Sequence, residues 1–130
     1  EKIEALDSFL LNQLQQQKRE CEIVRFTTDK IMHNSGTEIL SELLKELNLN
    51  ERTFQRIFKK YVGVTPNQYR RICQFQLSFE QVKNGEFDKL TDVAYKTGFA
   101  DQSHFIRSFK EFTHITPNDY KKSGLRRKKN

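Results

Sequence analysis

Tryptophan is absent from this chain of 130 residues, proline occurs twice and methionine once, and there are only five glycines. That rules out a collagen-like repeat and a flexible low-complexity linker, both of which need glycine or proline in bulk. Two cysteines, Cys21 and Cys73, are too few for a disulfide framework, and their spacing suits no metal site, so they are expected to be reduced thiols. No apolar run approaches the length of a membrane span. The chain opens Glu-Lys-Ile-Glu, without a signal peptide's apolar core and without an initiator methionine. The expectation is a cytoplasmic protein, and a piece of a longer one. A glycine-rich phosphate loop, H-E-x-x-H and C-x-x-C are all missing, and the three histidines are scattered. No catalytic residue, cofactor or metal is therefore expected.

What is present is aromatic, charged and repeated. Eleven phenylalanines fit a compact helical core. Residues 1–36 carry five basic and six acidic side chains, whereas residues 37–130 hold 18 of the 23 basic and 11 of the 17 acidic ones. The positive excess draws polyanions without saying which.

The basic part is also the duplicated part. Residues 54–69 read F-Q-R-I-F-K-K-Y-V-G-V-T-P-N-Q-Y, and residues 105–120 read F-I-R-S-F-K-E-F-T-H-I-T-P-N-D-Y. Phe54, Arg56, Phe58, Lys59, Thr65, Pro66, Asn67 and Tyr69 recur as Phe105, Arg107, Phe109, Lys110, Thr116, Pro117, Asn118 and Tyr120. The segments upstream also match, with turns at Asn48 and Gly98. Two copies are too few for a solenoid and point to one supersecondary unit used twice. Each copy reads as a short helix, a turn and a second helix, which is a helix-turn-helix whose second helix is the candidate groove reader.

The strings G-F-A-D-Q-S-H-F-I-R-S-F-K and I-T-P-N-D-Y, with R-T-F-Q-R-I-F-K-K and G-V-T-P in the first copy, resemble the DNA-binding part of AraC/XylS-type bacterial transcription regulators over about residues 26–122. The resemblance implies an all-α fold: two helix-turn-helix subdomains joined by a long helix, preceded here by an extra N-terminal helix. It implies double-stranded DNA as partner, and RNA polymerase where such a regulator activates. Three positions depart from the family pattern. Leu44 replaces a small alanine, while Asn48 and His114 stand where glycine is usual. The last two must take left-handed backbone that these residues tolerate without preferring it.

In chain order, Ile3, Leu6, Phe9, Leu10 and Leu14 recur at helical spacing, so residues 2–20 are expected to form a helix. It either packs on its own domain or ends an upstream sensor or dimerisation module; residues 1–25 are grouped as that helix and linker. A second short helix is expected at 27–34, with Thr27, Thr28 or Asp29 near its start and a break at Ser35-Gly36. Unit one spans about 26–64, with Thr37 or Ser41 starting its first helix and Asn50 capping its second. Phe54, Ile57, Phe58 and Tyr61 share the core face of that second helix. Arg52, Gln55 and Arg56 share the outer one and have the chemistry to read guanine and adenine edges. Lys59 and Lys60 suit phosphates. An outer face of this kind is most often plain solvated surface; the repeat context is what favours groove contact.

Thr65-Pro66 and Thr116-Pro117 begin helices by capping boxes, a structural role. The joining helix covers about 65–84 and offers Arg70 and Arg71 as exposed phosphate contacts. In unit two, about 86–122, Leu90 to Lys96 is the first helix and Asp101 caps the second. Phe105, Phe109 and Phe112 form that helix's core face. Gln102, Ser103, Ile106 and Arg107 form its reading face, where Ile106 suits a thymine methyl. His104 could cap, pack or touch phosphate. Lys110 and Lys121 complete the phosphate candidates. A last short helix is expected over Pro117 to Lys122, then a disordered basic tail at 123–130.

Two competing classes remain. One is a helical protein-interaction module that binds acidic partners through its basic faces. The other is an RNA binder, disfavoured because nearly all aromatics sit on core faces instead of forming a stacking platform. A homodimer is expected through the N-terminal helix or an upstream module.

Overall fold

The structure, a computed structural model, describes residues 2–85 and 87–129. Among these residues seven helices follow in order: α1 (Lys2–His33), α2 (Ile39–Leu47), α3 (Glu51–Val62), α4 (Pro66–Asn84), α5 (Leu90–Lys96), α6 (Gln102–Thr113) and α7 (Pro117–Lys129). The described residues contain no strand, and none of these helices is long and apolar enough to cross a membrane.

Each unit has its own core. Ile31, Ile39, Leu43, Phe54, Phe58 and Cys73 form the first. Val82, Val93, Ala94, Phe99, Phe105 and Phe109 form the second. α4 belongs to both, giving Cys73 to one and Val82 to the other. Its start is a complete capping box: Gln68 N donates to Thr65 Oγ1 at 3.2 Å and Thr65 N to Gln68 Oε1 at 2.9 Å. Asn50 and Asp101 cap α3 and α6 in the expected way, accepting from Thr53 N at 2.7 Å and His104 N at 2.8 Å. Asn48 (φ 52°) and His114 (φ 68°) do take left-handed backbone.

The units meet where the α1–α2 connection passes the α5–α6 turn. Gly98 has φ 81°, and a Cβ there would lie 2.8 Å from Gly36 Cα. Only glycine at 98 allows both the turn and this backbone contact. α4 runs through both units, and its 19 residues span about 28 Å.

Several expectations need correction. The helices expected at 2–20 and 27–34 are one helix of 32 residues. Thr27 and Thr28 do not start a helix. Their hydroxyls donate back to Ile23 O and Val24 O, both at 2.8 Å, inside a continuing one. The residue capping α2 is Glu38, with no side-chain cap, instead of Thr37 or Ser41. Phe112 lies at the rim of the core, exposed on one side and stacked on Phe75 at 4.6 Å on the other. Tyr61 is likewise a rim residue. α7 runs on through Lys129 where a disordered tail was expected; lysine and arginine are good helix formers even without an apolar stripe. The side chains of residues 124–130 lie outside the described part of the structure.

Candidate nucleic-acid interface

α3 buries Phe54, Ile57 and Phe58 and turns Arg52, Gln55, Arg56, Lys59 and Lys60 outward. Its Gln55 is steadied by Glu51, Nε2 to Oε1 at 3.2 Å. Arg52 and Lys59 are open to solvent. Arg56 and Lys60 share an anion that the sequence pattern did not flag: Glu20 of α1. Lys60 Nζ lies 3.3 Å from Glu20 Oε2, and Arg56 Nη1 lies 3.8 Å from Oε1. Tyr61 donates its hydroxyl to Oε2 at 2.9 Å. Burial pushes the Glu20 carboxyl up, but the bonds from Tyr61 and Lys60 and the charges of Lys60 and Arg56 outweigh it. The carboxyl is held below its ordinary range. The same hydrogen bond and charge raise the Lys60 ammonium.

α6 repeats the arrangement. It buries Phe105, Ser108 and Phe109 and exposes Gln102, Ser103, Arg107 and Lys110. Gln102 Oε1 accepts from the Thr91 hydroxyl at 3.0 Å, which ties the start of the reading face to α5. Ile106 is half-buried. His104 packs, its ring edge-on to Phe99 at 5.3 Å.

The joining helix differs most from expectation. Arg70, expected to be exposed, is buried at 6% relative exposure. Its Nε donates to Asn67 Oδ1 at 3.0 Å, and Nη1 donates to Ser35 O and Gln74 Oε1, each at 3.1 Å. A guanidinium spent on three internal acceptors is a structural group and no phosphate contact. Arg71 is half-buried and pairs with Glu111 of α6. Lys121 lies over the Phe87 ring at 4.7 Å. Among the described residues the cations of the two outer faces without an ion-pair partner are thus Arg52, Lys59, Arg107 and Lys110, with Arg56 and Lys60 tethered to Glu20. Among the described residues no group of three or more His, Cys, Asp or Glu is placed to hold a metal.

Two helix-turn-helix units on one shared helix, each with a basic outer face, define a helix-turn-helix DNA-binding module. The chain matches the model of a helix-turn-helix domain family over residues 43–123, more than half its length. It is 30% identical over 101 residues to the transcriptional regulatory protein HptR of Staphylococcus aureus, a match covering 74% of this chain and 38% of that protein. It is 27% identical over 85 residues to the HTH-type transcriptional regulator MtrA of Neisseria gonorrhoeae, covering 65% of this chain and 28% of that protein. The C-terminal domain of AraT, a response regulator from Geobacillus stearothermophilus, has the same fold. Its TM-score is 0.71 at 22% identity, covering 78% of this chain and 84% of that one. A probable AraC family transcriptional regulator from Rhodopseudomonas palustris gives 0.67 at 19%, covering 79% and 97%. The chain belongs to the AraC-type helix-turn-helix family of DNA-binding transcription regulators. It spans well under half the length of the curated relatives it matches.

Proposed function

We propose that this chain reads double-stranded DNA by sequence, laying α3 and α6 into two adjacent major-groove segments on one face of the duplex. The observation that carries the reading is the duplicated polar face. Arg52, Gln55, Arg56 and Lys59 on α3 correspond in place to Ser103, Ile106, Arg107 and Lys110 on α6, over matching phenylalanine cores. Arginine and glutamine provide the bidentate geometry for guanine and adenine edges, and the lysines suit phosphates. The two faces are not identical, so the site they select is not palindromic.

The experiment is selection of bound sequences from a random duplex pool, followed by a footprint and a salt titration. A single preferred site with two protected groove segments, and an affinity that falls steeply with salt, supports the reading. Binding to an acidic protein with no preference among duplexes would instead favour the interaction-module alternative.

The N-terminal turns of α1 supply a second contact in this proposal. Residues 2–19 are exposed throughout, including Ile3, Leu6, Phe9, Leu10, Leu11 and Leu14. An apolar face of this kind meets another protein surface. In this reading it is a second copy or an upstream module, and RNA polymerase contacts the assembly where it activates. Sedimentation of this chain, alone and as Leu10→Glu, separates self-association from a monomer.

A further inference from the structure

Glu20 is 5% exposed, yet the groups it holds sit on the reading helix of unit one. Its Oε2 is occupied by the Tyr61 hydroxyl at 2.9 Å and Lys60 Nζ at 3.3 Å. Those two bonds already fasten α1 to α3. Oε1 does something else: it faces Arg56 Nη1 at 3.8 Å, within ion-pair range but beyond hydrogen-bond reach. The Arg56 side chain is 57% exposed, and its other nitrogens have no hydrogen-bond partner among the described residues. The ion pair carries no hydrogen bond, so it acts by charge: the buried anion restricts where the exposed guanidinium dwells and leaves its N–H donors for a ligand.

We propose that Glu20 is a positioning residue for DNA reading: its buried carboxylate holds Arg56 by charge to one region of the reading face and so sets the preference at one base pair. The inference rests on the assignment of α3 as a reader. Its sign is informative, because the carboxylate also cancels positive charge on a face that meets a polyanion. Glu20 should therefore raise discrimination while lowering affinity for DNA in general. A residue that merely held the fold would alter neither in that pattern.

The test measures binding of the wild-type chain and of Glu20→Gln to the selected duplex, to each of its single-base variants and to random duplex. Glutamine keeps the shape and an oxygen for Tyr61. Discrimination at the base pair that Arg56→Ala relaxes is expected to fall about 3–10-fold. Other positions stay within about twofold, and random duplex is bound equally or more tightly. The double variant with Arg56→Ala should lose no more preference there than Arg56→Ala alone, the signature of two residues acting through one contact. Should Glu20→Gln fail to fold, Tyr61→Phe carries the test: it removes the shorter of the two bonds that hold Oε2, and should move the same base pair the same way by a smaller factor. A folded variant that keeps the wild-type preference at every position, or loses it evenly, overturns the proposal. A wild-type chain with no preference among duplexes removes the α3 assignment itself, which is a different and recognisable failure.

Discussion

Arg70 and Gln74 lie one turn apart on α4, and Nη1 of the arginine donates to Oε1 of the glutamine across 3.1 Å. Both side chains are buried. From that bond the network runs in two directions. Arg70 donates to the Ser35 carbonyl ahead of α2, and Gln74 Nε2 donates to the Thr97 carbonyl after α5 at 3.2 Å. The pair therefore joins unit one to unit two at the place where Gly36 and Gly98 touch.

Arg70→Ala is accordingly expected to act on stability. It strands the Ser35 carbonyl and the Gln74 amide oxygen, at about 1–3 kcal/mol for buried groups left unpaired. The salt dependence of DNA binding should stay as in wild type, since no phosphate contact is lost. Denaturant unfolding and a salt titration check both halves. A reduced salt slope with unchanged stability would return Arg70 to the phosphate contacts.

Much of the fold was legible because the chain states it twice. Phe54 and Phe58 recur as Phe105 and Phe109, so one core face predicts the other, and the Asn50, Thr65 and Asp101 caps are written in adjacent residues. What escaped depends on distant partners. Arginine is mostly exposed in proteins, and nothing near Arg70 in sequence announces the Ser35 carbonyl. Glu20 sits in an ordinary charged stretch, and its partners lie 36 to 41 positions away. Thr27 and Thr28 misled because a hydroxyl that caps a helix start can equally fold back within a helix.

Phe58 is fully buried, in contact with Phe54 at 5.7 Å and Tyr69 at 5.5 Å between ring centroids. Phe58→Ala should cost about 3–5 kcal/mol. That is a large share of a small domain's stability. Thermal melting followed by circular dichroism reads it directly; a variant that melts like wild type but no longer binds DNA would place Phe58 on the reading face instead.

Arg56 and Lys59 lie on the same outer face but have different chemistry. Arg56→Ala should weaken binding to the selected site by about 1–3 kcal/mol and relax one or two base pairs. Lys59→Ala should weaken binding to every duplex alike and lower the salt slope by about one. Equal losses on selected and random DNA for Arg56→Ala would make that residue a phosphate contact.

The depressed Glu20 carboxyl predicts a pH dependence of stability. Burial works against ionisation, but Tyr61, Lys60 and Arg56 more than offset it and keep the folded group below its ordinary value of 4.5. A lowered folded value means the stabilisation is present above the unfolded value and is lost as pH falls through the folded one. The stability advantage of wild type over Glu20→Gln should therefore hold at neutral pH and shrink below about pH 4.5. Paired denaturation curves from pH 7 to pH 3 test it; an advantage independent of pH in that window would show that the charge on Glu20 contributes nothing.

Two reading helices packed on one shared helix must meet a duplex of set groove spacing. α4 has 19 residues and spans about 28 Å. Successive major-groove faces on one side of straight DNA lie about 34 Å apart. By this comparison the joining helix is roughly 6 Å shorter than one groove repeat. The protein has little freedom to supply the difference, because Arg70, Gln74 and the Gly36–Gly98 contact lock the joint. The duplex should bend toward the protein when both units engage, at a cost on the order of 1–6 kcal/mol. On sites too stiff to bend, one unit should dock while the other rests on the backbone. Circular-permutation mobility of the bound duplex, with a footprint on the same fragment, measures both. Arg70→Ala loosens the joint and should reduce the bend without removing either protected segment. Straight DNA with both segments protected, or a strict need for a two-fold symmetric pair of sites, would count against this arrangement.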